Sequence, residues 1–241
     1  MAIEDNVMPY CAVRTKQKML EEQVRRWELL KVLEHREPAR EPIITISRLP
    51  GCAGRAVAEE LARLMGFRLY DKELFSRIAE DAEMSEALLR SLDDRVLPAL
   101  DEWITGFVLH RRLSGDYFKH LTRILFSIAQ SGRAIILGRG ANFILPPSQC
   151  LRVLLVAPRE ARVQSLARRM GISPLRASEQ VRRVESDRRA FIRSHFCHDM
   201  CDPVHYDLAL NTECLGFSDT VDAIRLAWAA KRGVLAEKTA A

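Results

Sequence analysis

Short β-branched runs separated by helical patterns constrain this chain more than anything else in its 241 residues. Ile43-Ile44-Thr45-Ile46, Ala134-Ile135-Ile136-Leu137 and Leu151 to Val156 are strand-length and almost wholly apolar. Such runs fit strands buried on both faces. Phe67-Arg68-Leu69-Tyr70 and Asp207-Leu208-Ala209-Leu210 add two shorter candidates. Between them lie helical patterns. Ala56 to Met65 places Val57, Leu61 and Leu64 on one stripe and closes at Gly66, residues 72–130 are mostly helical, and further helices are expected over 159–170, 174–196 and 218–232. Strands that alternate with helices predict an α/β fold, a parallel sheet of about five strands with helices on both faces. Sheets of this kind hold ligands at the carboxyl ends of their strands.

The segment before Ile43 has a different character. Residues 14–36 form an amphipathic pattern, with Leu20, Val24, Trp27 and Leu30 at helical spacing. Pro38 and Pro42 then interrupt it. The expected organisation is an N-terminal helical extension and linker over 1–42, one domain over 43–232, and a tail over 233–241. The extension is suited to docking on a protein partner or to self-association. No apolar run of about eighteen residues is present, so no membrane-spanning helix is expected. The first residues lack the apolar stretch of a secretory signal, which points to the cytoplasm. There the six cysteines are expected to be reduced.

Charge is uneven. Ten of the arginines and only four acids fall between Arg159 and Arg193. Arginine suits bidentate phosphate recognition, although a solvated helix face explains such a run equally well. Few aromatic residues accompany these arginines, so single-stranded nucleic acid is not the expected partner. One stretch, His195-x-Cys197-His198-x-x-Cys201-x-x-x-His205, gathers soft ligands, but its spacing is not that of a zinc site and no metal is assigned.

The turn after the first strand reads Arg48-Leu49-Pro50-Gly51-Cys52-Ala53-Gly54-Arg55. A glycine-bearing loop between strand and helix turns backbone amides toward phosphate at a helix N-terminus. Set against G-x-x-x-x-G-K-[ST], Arg48 stands at the first glycine and Gly54 where the lysine belongs. On its own, such a turn is more often only a turn. Ala53 dislikes the positive φ that these loops use. Cys52 is an ordinary loop residue or, if the helix N-terminus lowers its pKa, a redox-sensitive thiol.

Several blocks then occur in a recognisable order: Ile44-Thr45-Ile46-Ser47-Arg48-x-x-Gly51-x-x-Gly54, Tyr70-Asp71-Lys72-Glu73-Leu74, Gly138-Arg139-Gly140-Ala141-Asn142, and Asp202-Pro203-x-x-Tyr206-Asp207-Leu208. Together they resemble the cytidylate kinase-like family across about residues 43–230. The resemblance implies a P-loop kinase-like domain with a helical lid, and ATP and Mg2+ as cofactors. It also implies phosphoryl transfer to CMP or a similar monophosphate. Its loop characteristically lacks the lysine. By the same resemblance, Ser47, Arg48, Gly51, Cys52, Ala53, Gly54 and Arg55 form the ATP-binding loop. Asp71 precedes the monophosphate-binding helix, and Arg77 and Arg139 hold the acceptor. Asn142 is alternatively a cap for the segment it opens. In the lid, Glu185-x-x-Arg188 matches the family's acid and arginine, with Asp187 and Arg189 as a second register, and the resemblance makes Arg188, Glu185 and Asp71 the catalytic residues. The alternative function is a nucleotide-binding regulatory module whose catalysis is impaired by the altered loop.

The resemblance starts at Ile43, after the proline-marked break. Removing the first forty residues is therefore expected to leave a cooperative thermal melt. Loss of that cooperative transition would place the extension in the core.

Overall fold

The computed structural model describes residues 41–75 and 115–240. The expected helix over 14–36 and Arg77 lie outside the described residues. In chain order the elements are β1 (Ile43–Arg48), α1 (Gly54–Met65), β2 (Arg68–Tyr70), α2 (Gly115–Ser131), β3 (Ala134–Leu137), α3 (Ala141–Ile144), β4 (Cys150–Val156), α4 (Arg159–Met170), α5 (Pro174–Phe196), a 3-10 turn at Pro203–His205, β5 (Leu208–Asn211) and α6 (Thr212–Ala240). The last helix is interrupted at Gly216, which has φ 77° and ψ 178°.

The five strands form one sheet in the order β2-β3-β1-β4-β5, with every neighbouring pair parallel. Strand order reverses around β1, which has β3 on one side and β4 on the other. A ligand crevice is therefore expected beyond the carboxyl end of β1. β1 runs two residues past its expected end because Ser47 and Arg48 pair with Leu154 and Leu155. That extension carries Arg48 to the crevice. The apolar runs are buried as their composition requires: Ile43, Ile44, Ile135, Ile136, Val153 and Leu155 are all fully buried.

Helix α1 buries Val57, Ala58 and Leu61 against the sheet and ends at Gly66 in the left-handed region. Leu64, expected on the same stripe, is instead 42% exposed. The core-facing side of α1 passes through Met65, which packs on the core in its place. The opposite end of the sheet is closed by α6, where Trp228 Nε1 donates to the Pro42 carbonyl at 2.6 Å and Arg232 pairs with Glu41 at 3.1 Å.

Helices α4 and α5 form a hairpin, and α5 carries residues 182–193, the segment expected as a lid. Gly171 ends α4 in the left-handed region, and Ser173 caps α5 by accepting from the Arg176 amide, with Pro174 at the first turn. Leu166, Ala177 and Val181 form a small core of their own. Ile192 and Phe196, farther along α5, belong to the main core. One helix thus has its start in the lid and its end in the body of the domain. Among the described residues no helix is long and apolar enough to cross a membrane.

Truncating a fully buried α1 side chain tests this packing. Leu61→Ala is expected to lower unfolding free energy by about 2–5 kcal/mol, measured by urea denaturation. A loss below about 1 kcal/mol would mean that α1 is not held as described.

Candidate active site

The loop joining β1 to α1 is shaped by residues outside it. Gly51 has φ 91°, and a Cβ there would run into the backbone carbonyl and Cβ of Arg162 on α4. Ala53 caps α1 at φ 49°, ψ 13° without a side-chain hydrogen bond. It therefore adopts the conformation that the sequence marks as unfavourable, at a cost of roughly 1–2 kcal/mol. Cys52 is buried, and burial pushes its thiol up to about 11. The redox-sensitive reading is thereby overturned: desolvation outweighs any help from the helix N-terminus, and the thiol stays protonated at neutral pH.

Three arginines converge beyond the strand ends. Arg48, Arg139 and Arg188 all line a cavity of about 440 Å³, together with Ser47, Lys72, Asp187 and Tyr206. A second cavity, of about 240 Å³, lies over residues 48–55 and reaches Arg169, Gln180 and Arg188 of the lid. Arg48 and Arg188 border both. Arg48 points inward: a Cβ on Gly54 would meet its aliphatic stem, and one on Gly138 would meet its Nη1. Burial, then the charges of Arg188 and Arg139, lower the Arg48 guanidinium to about 9, which leaves it charged at neutral pH. Arg188 donates from Nη1 to the Arg48 carbonyl at 2.8 Å, and burial lowers its pKa as well. Among the described residues neither Arg48 nor Arg188 has a carboxylate at ion-pair distance. Arg139 sits at φ 59° between Gly138 and Gly140, both also left-handed. This strained run turns its guanidinium toward the Lys72 carbonyl and the Phe75 ring.

The remaining loop cation is engaged elsewhere. Arg55 is exposed and pairs with Glu59, Asp71 and Glu73 at 2.8–3.1 Å. Asp71 accepts from the Leu74 amide at 3.0 Å and so opens the helix that starts at Lys72. Burial alone would raise the Asp71 carboxyl, but that amide and Arg55 hold it below its ordinary value.

Arg162 is the residue that sequence reasoning missed. It fell among the ten arginines of a presumed phosphate-binding or solvated run. Seven of those are exposed, but Arg162 is only 5% exposed. Its Nε donates to the Ala157 carbonyl at 2.9 Å, and its Nη1 donates to the Pro50 carbonyl at 3.3 Å and to Glu185 at 2.9 Å. One guanidinium thus ties the exit of β4 to the β1–α1 loop and to the lid. Glu185 also accepts from Arg189, which reaches Asp199 in turn. Arg188 and Asp187 face the larger cavity, whereas Glu185 and Arg189 form this network behind it.

The wall of the larger cavity is polar on the β1 side. Ser47 Oγ donates to Asn142 Oδ1 at 3.1 Å. Asn142 does not cap α3; Gly140 holds the cap position, and the Asn142 amide nitrogen is buried without a partner. Tyr206 donates to the Met200 carbonyl at 2.6 Å, and burial pushes its phenol up to about 12. In the His/Cys stretch, His198 and His205 pack on Phe143, and Arg189 donates to Cys201. Asp202 caps the 3-10 turn, and Asp207 holds Arg152 and Lys231.

A parallel five-stranded sheet switching at β1, a phosphate-type loop at the switch and a helical lid together define a P-loop kinase-like domain. Residues 43–214 match the model of the cytidylate kinase-like family, and the chain belongs to that family. It is 27% identical over 186 residues to a cytidylate kinase of Ignicoccus hospitalis, covering 76% of this chain and 96% of that protein. A cytidylate kinase of Thermococcus sibiricus is 26% identical over 171 residues, covering 70% and 79%. A solved structure of an uncharacterized protein from Eubacterium ventriosum has the same fold, with TM-score 0.55 and 18% identity over 79% of this chain and 99% of that one.

Arg162→Ala leaves Glu185 and the Pro50 carbonyl without their buried partner. It is expected to cost about 3–5 kcal/mol of stability in urea titration. A change under about 1 kcal/mol would mean that the loop and lid are held together by other contacts.

Proposed function

We propose that the chain is a nucleoside-monophosphate kinase that transfers the terminal phosphoryl group of ATP to CMP or a similar monophosphate. The observation that carries this reading is the pair of arginines, Arg48 and Arg188, which line two neighbouring cavities and have no carboxylate at ion-pair distance among the described residues. A site with uncompensated, partly desolvated positive charge favours a polyanion. The smaller cavity over the loop suits the ATP phosphates, held by the amides of Gly51 to Arg55. The larger one suits the acceptor, with Arg139 on its phosphate and the Ser47–Asn142 pair and Tyr206 toward the rest of the molecule. An acceptor phosphate oxygen then bonds to the terminal phosphorus while the bond to the bridging oxygen breaks, leaving ADP and a diphosphate. Such transfer depends mainly on positioning and on charge around the equatorial oxygens, which Arg188 is placed to supply.

ATP fits the donor set of the loop. Magnesium, which the family resemblance implies, finds no hydroxyl ligand there, because positions 55 and 56 are Arg and Ala. Asp71, the nearby acid, is engaged by Arg55. In this reading the charge opposite the phosphates is carried by arginine side chains. One observation favours the second reading, a regulatory module: the Ala53 methyl and its positive φ lie in the loop itself.

A coupled assay with ATP and a panel of monophosphates separates the two. Turnover is expected with CMP or a close analogue. Arg188→Ala should lower kcat by about 10³ or more and leave ATP binding within a few-fold. Arg139→Ala should raise KM for the acceptor. ATP binding without turnover on any monophosphate would select the regulatory module, and unchanged kcat in Arg188→Ala would remove that residue from the chemistry.

A further inference from the structure

A P-loop normally carries its cation at the end of the loop, as the lysine of G-x-x-x-x-G-K. In this chain that position is Gly54. A Cβ built on Gly54 would lie 2.9 Å from Cγ and 3.0 Å from Cβ of Arg48. The volume into which a residue-54 side chain would start is therefore already filled by the stem of Arg48. The same side chain continues past Gly138, where a Cβ would collide with Nη1. Arg48 thus threads between two glycines, one on each side of its strand end. Its backbone is pinned by the Arg188 bond to its carbonyl, and the residue borders both cavities.

We propose that Arg48 is the loop cation of this protein, moved from the last position of the phosphate loop to the first, with Gly54 and Gly138 small because they must admit it. The inference rests on reading the loop as a triphosphate site. It adds that arginine at 48 and glycine at 54 are a single coupled choice. A lysine at 54 and an arginine at 48 compete for one volume. A glycine at both positions leaves the loop without a full positive charge of its own. Arg55 does not substitute, since Glu59, Asp71 and Glu73 hold it on the outside.

The test uses the full chain and two probes, ATP and inorganic tripolyphosphate, with affinity read by calorimetry and folding by thermal melt. Arg48→Gly should weaken both probes by at least about 30-fold, the loss expected when one member of a desolvated charge pair is removed. The double variant Arg48→Gly with Gly54→Lys should regain most of that affinity. Gly54→Ala should lower Tm by several degrees in the unmutated chain and by much less in the Arg48→Gly background, because the crowding partner is gone. Undiminished binding by Arg48→Gly, while the unmutated chain binds both probes, would overturn the relocation and leave the triphosphate reading standing. So would equal Tm shifts from Gly54→Ala in the two backgrounds, or a folded double variant that binds no better than Arg48→Gly. If the unmutated chain binds neither probe, the triphosphate reading and this inference fall together.

Discussion

The buried guanidinium of Arg162 is the contact on which the candidate site depends. It sits on the first turn of α4, yet it makes its bonds to three other places: the end of β4, the β1–α1 loop and the middle of α5. A buried cation is costly unless its donors are all engaged. Satisfying this one fixes the distance between loop and lid. The backbone of the same residue fills the space beside Gly51 and so leaves no room for a side chain there. Loop shape and lid position therefore have a common cause, which lies outside the loop sequence.

That arrangement divides the positive charge around the site into two kinds. Arg162, Arg189 and Arg55 are matched by Glu185, Asp199, Glu59, Asp71 and Glu73. These arginines build and brace. Arg48 and Arg188 have no such partners among the described residues; burial lowers the affinity of both for protons, and the charges of Arg188 and Arg139 lower that of Arg48 further. Without a ligand this is unfavourable, and a bound polyanion relieves it. The two-part lid core suits such a site. Among the described residues the start of α5 packs in a small cluster with α4, whereas its end is anchored by Ile192 and Phe196 in the main core.

Much of the fold was legible in the sequence. Both-face burial leaves an apolar run that needs no partner information to recognise, so all five strands fall within two residues of their expected places. Gly66 ends α1 as its backbone freedom predicts, and α4 fills the expected span 159–170. What was not legible depends on direction rather than identity. Leu64 has the right spacing for the core stripe but falls on its margin. Arg162 looks like its exposed neighbours in sequence, and only the carbonyls that meet it make it structural. Cys52 stands at a helix start, where a thiol is often acidified, but it is buried. The inward course of Arg48 has one cue in retrospect: glycines at both 54 and 138, two positions that flank nothing else so closely. The blocks around Asp202 and Asp207 carried the family resemblance, yet their carboxylates cap a turn and hold Arg152 and Lys231. A family signature of this kind marks both site and scaffold.

The central claim is that this chain holds a triphosphate between the β1–α1 loop and the lid, with Arg48 and Arg188 on it. A crystal structure of the full chain with a non-hydrolysable ATP analogue and CMP tests it most directly. The account predicts the triphosphate along the amides of Gly51 to Arg55. It also predicts that the Arg48 and Arg188 guanidiniums lie within hydrogen-bond distance of the terminal phosphate, with the CMP phosphate beside Arg139. A triphosphate bound away from that loop, or bound there with both guanidiniums turned elsewhere, would contradict it.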